Sequence, residues 1–598
     1  MSTTGETPSA VSVRQSFEQR LERRGVAQLW LTLLTLAVYG QSLTYNFVYE
    51  DRRTVLHNAM IESWSRVPEY FTTDLSRLHG SNFYRPVTSL FTRLMNAMVG
   101  SSAFGWHAGS VLLHLLSVLL VFALARHLLG SRSTAFFAAA LWAVHPTHVE
   151  AVTWISAAGD PLMTVFVLAA AVAFLRWRQG ESPAWLAASL AAGAAAVLTK
   201  EAAVVTPALL SVFLLLPTAA RRWRTQLAAL AAFWVEAFAF LIVRSHILHG
   251  FSHPLSNSGA TNAEMMLTWP AAILFYVRDM FLPVEMTPFY PFDFVRSADS
   301  PRFLWPLLAV IALAAAIAWL LRKTMLLKML VRKSPDWRLY LVCLAWTGIP
   351  LAPAMYLKLF LQYEIVHDRY LYMPTIGLCI AAAAAITSLA RRAESLGPVR
   401  SSERGSVHLL GLTAVLLVGV SAAATVGYES WWQSDLTFYK RAVSITPNYM
   451  AALLDLSVVY MEHKQYDAAI RILDRALQQE PYNPDANFDR GRAAWETGDN
   501  AVAERCFERA SLLAPNVKHW LFLASVKLYT GKPKEGEFAA RQALAIDPTE
   551  PGAHYALGTA LLNQGNKAAA ISEFREELRQ HPETSGAQTA LQRALTQN

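Results

Sequence analysis

Cysteine is nearly missing. Cys343, Cys379 and Cys506 are scattered over 598 residues, the first two inside apolar runs. That excludes a disulfide framework and a cysteine-based metal knuckle. Charge is scarce too: Asp, Glu, Lys and Arg make up 16% of the chain against 54% apolar residues. Such a balance is too apolar for a soluble protein of this length and predicts a polytopic membrane protein. No cleavable export signal is expected, because residues 1–25 are polar and no small-residue cleavage site follows the first apolar run. The segment is expected to be a cytoplasmic leader. The net charge of +8 does not call for nucleic acid, since cytoplasmic loops of membrane proteins collect Lys and Arg.

What the sequence does have is long apolar runs. Membrane helices are predicted near 26–46, 107–129, 134–149, 160–177, 183–199, 202–220, 225–245, 303–322, 338–357, 370–390 and 407–428, about eleven in all. The run 265–282 carries Pro270, Arg278 and Asp279 and is expected to be interfacial or re-entrant. An even number of predicted crossings separates each basic cluster from the next, from Arg14–Arg24 to Arg391–Arg404. All clusters then share the cytoplasmic face. The loop 47–106, the stretch 145–160 and everything after 428 fall on the opposite face.

From about residue 429 the composition turns polar and a period appears. Pro447, Pro481, Pro515, Pro548 and Pro582 are spaced 34, 34, 33 and 34 residues apart. Ala469, Ala503 and Ala570 lie twelve places before a proline, and Leu473, Phe507 and Phe574 eight places before. This is the tetratricopeptide pattern of paired helices. It predicts four repeats, preceded by a half-repeat helix at 437–447. The third repeat is one residue short and is expected to lack the small residue. Stacked repeats present a concave face suited to an extended peptide or a protein partner.

The predicted outer face gathers polar groups. "FVYEDRRTVLHN" gives Glu50 and Asp51; "NFYRPVT" gives Arg85; "HPTHVEAV" gives His145, His148 and Glu150. "AAGD" ends in Asp160, "LTKEAAV" carries Lys200 and Glu201, and "YEIVHDRYLYMP" carries His367, Arg369 and Tyr372. Ionisable groups beside membrane helices mark functional sites by default. A carboxylate with a second negative charge nearby has a raised pKa suited to deprotonating a hydroxyl. Facing cations would stabilise a departing phosphate. The set suits attack of a hydroxyl on a sugar C1 with a lipid phosphate as leaving group. His145 and His148, with Glu150, also have a spacing that could hold a metal; the residues alone leave the metal unknown. Arg85 could instead anchor its loop to a carboxylate, the opening pair among the choices.

The motifs "FVYEDRRTVLHN", "YRPVTSL", "AVHPTHVEAVTWISAAGD", "TKEAAV" and "HDRYLYMPTIG", in this order and followed by the repeats, resemble the TMTC (transmembrane and tetratricopeptide-repeat-containing) O-mannosyltransferases of the GT-C superfamily. The resemblance covers almost the whole chain. It implies an all-α architecture: a GT-C membrane domain over 26–428 and a repeat solenoid over 429–598. It also implies a polyprenyl-phosphate-linked sugar donor, a mannose-like hexose, inverting transfer and exported protein acceptors held by the repeats. The family's acidic pair falls on Glu50 and Asp51, its histidine-rich stretch on His145, His148 and Glu150, and its arginine-tyrosine stretch on Arg369 and Tyr372. Relatives usually show two aspartates, so Glu50 leaves the choice of base open, with Asp51 favoured. A divalent cation is left open as a cofactor. A lipid or cell-envelope glycan acceptor and a non-enzymatic membrane scaffold are the competing readings. The expected setting is a bacterial inner membrane, with the active face and the repeats periplasmic.

Overall fold

The computed structural model describes residues 21–596 except 24, 75–82, 218–220, 251–259, 331–336, 358–363 and 396–400. The expected leader over 1–25 therefore lies outside the described residues apart from 21–23 and 25. The described residues are helical and irregular throughout, with no strand. The chain divides into two compact units, Met1–Phe438 and Tyr439–Asn598.

Among the described residues of the first unit seven helices are long and apolar enough to cross a membrane: Val26–Thr44, Ala103–Leu129, Ile155–Arg178, Trp223–Ile247, Pro301–Leu326, Trp337–Met355 and Gly411–Trp432. Ala184–Thr199, Glu201–Leu215 and Pro374–Ala390 are shorter apolar helices. The apolar stretch of Pro301–Leu326 has no buried residue and exposes Trp305, Leu308 and Trp319. A helix apolar all round is at home in lipid rather than water. Packing between spans relies on small side chains, which let backbones approach. Ala135, Ala138, Ala139 and Ala143 in Arg132–Ala143 are fully buried. Gly377 shows how close the approach is, because a Cβ there would lie 2.1 Å from the Cys343 carbonyl oxygen on the neighbouring helix.

Two sequence expectations are corrected in this unit. The helix placed at 134–149 stops at Ala143, and residues 146–148 form a separate 3-10 turn. His145 is extended, with φ −69° and ψ 126°, as a residue before proline is driven to be. His145 and His148 therefore do not share a helix face. The helix placed at 202–220 is broken into Glu201–Val205, Thr206–Ser211 and Val212–Leu215. The run 265–282 lies in one helix, Asn262–Phe281, closed at its start by a reciprocal Thr261–Glu264 capping box.

The second unit is a tetratricopeptide array of four helix pairs: Met450–Glu462 with Tyr466–Gln479, Pro484–Glu496 with Asn500–Leu513, Val517–Tyr529 with Pro533–Ile546, and Ala553–Asn563 with Lys567–Gln580. Ser585–Thr596 follows the last pair. Phe507 and Phe574 fill the space left by glycines on the preceding helix: an added Cβ would meet Phe507 at 2.7 Å from Gly491 and Phe574 at 2.6 Å from Gly558. The third repeat does keep its small residue. Gly536 lies twelve places before Pro548, and a Cβ there would meet Leu528 at 2.8 Å.

Gly558→Ala should therefore overpack a buried ring at a cost of about 1–3 kcal/mol. Gly419→Ala, which meets nothing, should be neutral. Thermal unfolding of the full chain in detergent, followed by deuterium uptake in the repeats, checks the contrast.

Candidate active site

The acidic pair sits where the first span gives way to the loop 47–58. The two carboxylates have opposite environments. Asp51 is buried and its Oδ1 accepts from the Ser156 backbone N–H at 2.8 Å and from Ser156 Oγ at 2.6 Å, while Oδ2 accepts from the Val48 N–H at 3.2 Å. Burial outweighs these bonds and pushes its carboxyl up to about 7. The Glu50 side chain is solvent-accessible and lines a cavity of about 310 Å³ with Arg53, His57, Tyr70, Trp106 and Ser156. Its carboxylate has no hydrogen-bond partner among the described residues. Recession into the cavity raises the Glu50 carboxyl above its ordinary value, and the charges of Arg369, Arg53 and His367 offset part of that rise.

Beside the pair lies a set of buried and half-buried ion pairs. Arg369 Nη1 donates to Glu150 Oε1 at 2.7 Å and its backbone N–H to Oε2 at 3.1 Å. His367 Nδ1 stands 3.1 Å from the same Oε1. Burial alone would raise the Glu150 carboxyl, but Arg369 and His367 hold it down at about 2. Lys200 Nζ reaches Asp160 Oδ1 at 2.6 Å. Arg85 grips Glu201 with both arms of its fork, Nε to Oε2 at 2.9 Å and Nη2 to Oε1 at 2.5 Å. The Tyr370 ring joins two of these pairs, with Lys200 Nζ 5.6 Å and the Arg369 guanidinium carbon 5.3 Å from its centroid. Thr88 Oγ1 donates to the Thr199 carbonyl at 2.6 Å. That bond ties the start of Pro86–Val99 to the end of Ala184–Thr199, so Arg85 meets Glu201.

Of the residues singled out in the sequence, Glu50, Asp51, Arg85, Glu150, Asp160, Lys200, Glu201, His367 and Arg369 are thus placed around one loop cluster. His145, His148 and Tyr372 are not. His145 uses both ring nitrogens, on Thr147 Oγ1 at 2.8 Å and the Met280 carbonyl at 3.1 Å. His148 bonds Thr375 Oγ1 at 2.8 Å and packs among Trp142 and Tyr372. The Tyr372 hydroxyl meets His114 Nδ1 at 2.8 Å. These three belong to a buried aromatic and imidazole core. Arg85 anchors to Glu201, not to the acidic pair. Among the described residues no three His, Cys, Asp or Glu side chains are grouped as a metal would need. Ser156 is a site residue not named among the sequence candidates, whereas Tyr370 and Arg53 belong to the polar groups of the quoted motifs. Arg53 lines the cavity and has no ion-pair partner among the described residues. Ser156 and Tyr370 lie inside the quoted motifs, but no spacing rule marks a contact made across 105 residues.

Taken together, this is a helical membrane protein with a charged loop cluster beside a cavity, followed by tetratricopeptide repeats. Residues 84–249 match the family described as dolichyl-phosphate-mannose-protein mannosyltransferase, and 460–525 and 523–585 match tetratricopeptide repeat families. The protein O-mannosyl-transferase Tmtc1 of Drosophila melanogaster is 25% identical over 80% of this chain and 64% of its own length. The protein O-mannosyl-transferase TMTC3 of Mus musculus is 22% identical over 91% of this chain and 62% of its own. The crystal structure of MamA is 21% identical, covering 25% of this chain and 89% of that one with a TM-score of 0.24. The chain is TMTC-like over most of its length, and it spans just under two-thirds of the length of these two curated relatives.

The two acidic environments predict opposite pH dependences. Glu150 has a depressed folded value, so its stabilisation is present above the ordinary carboxyl range and is lost as pH falls through about 2. Asp51 has a raised folded value; its contribution is complete below the ordinary range and is lost as pH climbs through about 7. Asp51→Asn should flatten the fall in unfolding temperature on going from mildly acidic to mildly alkaline buffer, and an unchanged slope would contradict this. Arg369→Ala, which strands a buried carboxylate, should cost about 3–5 kcal/mol.

Proposed function

We propose that the chain is a membrane glycosyltransferase that moves a hexose, mannose by analogy with the activity named for its relatives, from a polyprenyl phosphate to hydroxyls of protein acceptors. The observation that carries this reading is the Glu50 carboxylate, raised in pKa and without a hydrogen-bond partner among the described residues, in a cavity beside Arg53 and near Arg369 and His367. Glu50 takes the proton of the acceptor hydroxyl as its oxygen attacks C1. The bond from C1 to the phosphate oxygen breaks on the opposite face, so configuration inverts and polyprenyl phosphate leaves with the electron pair. Arg53 and Arg369 are the cations placed to offset the charge that grows on the phosphate. A carboxyl raised toward neutrality is a more effective base than an ordinary one.

In this scheme Asp51 is the anchor of the loop and Glu50 the base, the reverse of the sequence preference for Asp51. The Lys200–Asp160 and Arg85–Glu201 pairs hold the frame. His145, His148 and Tyr372 support the packing behind it. No step is assigned to a divalent cation. The repeats receive the protein acceptor, and the basic clusters favour a non-cytoplasmic active face.

The test is mass spectrometry of peptide acceptors incubated with the full chain in liposomes that contain polyprenyl-phosphate mannose. Glu50→Gln should lower kcat by about 10²–10⁴-fold, and Asp51→Asn by less. Loss in Asp51→Asn with full turnover in Glu50→Gln would exchange the two roles. Transfer by both variants at the native rate would sink the base assignment.

A further inference from the structure

The position of Glu50 depends on a residue far away in the sequence. Tyr49, the residue before it, has φ +59°, a left-handed conformation that costs a bulky side chain energy and is kept only where its surroundings impose it. What imposes it comes from the segment after the last span. The Tyr49 backbone N–H donates to Asp435 Oδ1 at 2.8 Å, and Arg52 Nη2 pairs with Asp435 Oδ2 at 2.9 Å. The Tyr49 ring stacks on Phe438 with centroids 5.4 Å apart and planes 23° apart, and Phe289 and Trp154 close around it at 5.6 and 5.5 Å. The Asn46 N–H donates to the Gln433 carbonyl at 3.2 Å. Asp435 is buried while the Arg52 side chain is 49% exposed, so the bond from the Tyr49 N–H is the one shielded from bulk water.

Glu50 thus lies between two clasps, Tyr49 held by Asp435 and Asp51 held by Ser156. We propose that Asp435 is a positioning residue for the transfer reaction: through Tyr49 and Arg52 it fixes the backbone that aims the Glu50 carboxylate into the cavity. The inference rests on the reading of Glu50 as base. The helix Asp435–Ile445 that carries Asp435 straddles the boundary between the two units. The transferase unit so defined extends past the last membrane span and includes the first residues of this helix. Phe438 is the second contact that the helix supplies.

The test uses full-length Asp435→Ala and Asp435→Asn in liposomes. Asp435→Ala should lower kcat about 10²-fold, the scale expected for a displacement of about 1 Å at a reacting group, with KM for donor and acceptor little changed. Asp435→Asn keeps an oxygen for the Tyr49 N–H and loses the charge facing Arg52, so its loss should be smaller. Deuterium uptake in the peptide 47–52 should rise in Asp435→Ala, with uptake in the repeats unchanged. In a Glu50→Gln background the residual rate should not fall further. Faster exchange with native kcat overturns the positioning role, and unchanged exchange overturns the clasp. Uptake is read without turnover, so an active Glu50→Gln enzyme would defeat the base assignment while leaving the clasp measured on its own.

Discussion

Charge buried without water is the constraint on which the membrane unit depends. A lone carboxylate or ammonium in such surroundings is far too costly to keep. The structure meets this by pairing: Glu150 with Arg369 and His367, Asp160 with Lys200, Glu201 with Arg85. Asp368 is held differently, by the Tyr290 and Tyr428 hydroxyls at 2.7 and 3.0 Å, and burial pushes its carboxyl well up. Replacing such pairs by apolar residues is often neutral or stabilising in proteins. Three carboxylates and the cations and imidazole that pair with them, gathered in one loop cluster, are therefore poorly explained by stability alone. They fit a site that must meet a charged ligand with a framework already fixed.

The same constraint explains why the elements break where they do. A continuous helix at 134–149 would carry His145 and His148 along its own axis and set Glu150 at its end. Pro146 ends it instead, and the short turn and helix that follow aim Glu150 at Arg369. Lys200 lies at the end of Ala184–Thr199 in an extended conformation, φ −153° and ψ 134°, which lets its ammonium reach Asp160. Irregular backbone near membrane depth is tolerated where protein buries it or where it lines a cavity.

The repeats were the most legible part of the sequence, because a 34-residue period with buried small residues repeats one local solution four times. Gly536 meets the same requirement as the alanines of the other repeats, because the close approach of two helices demands a small side chain of either kind. The long spans were legible from apolar length. The shorter helices were not, since Ala-rich runs read alike whether they end at Ala143 or continue to Val149. For the cluster, residue type identified most of the charged members but not their partners. Neither the Arg85–Glu201 fork nor the Ser156 contact to Asp51 has a local periodicity. His145, His148 and Tyr372 were drawn in by their motifs. Their imidazole and phenol groups bond to Thr147, Thr375, His114 and the Met280 carbonyl inside the core, a use that a sequence cannot tell apart from ligand binding.

The acidic pair illustrates how adjacent residues of like chemistry come to differ. Successive side chains in an irregular loop point in different directions, so one can be buried and the other left in a cavity. Burial and three accepted hydrogen bonds make Asp51 a structural element of its loop. Tyr49, on the other side, stores strain of about 1–3 kcal/mol in its left-handed backbone, offset by a buried acceptor and a stacked ring. With the backbone fixed at 49 and 51, the reach of residue 50 is set by the length of its own side chain. A glutamate extends one methylene further than an aspartate from the same Cα. At a position clamped on both sides, that extra length changes where the carboxylate lies in the cavity and cannot be absorbed by a shift of the loop.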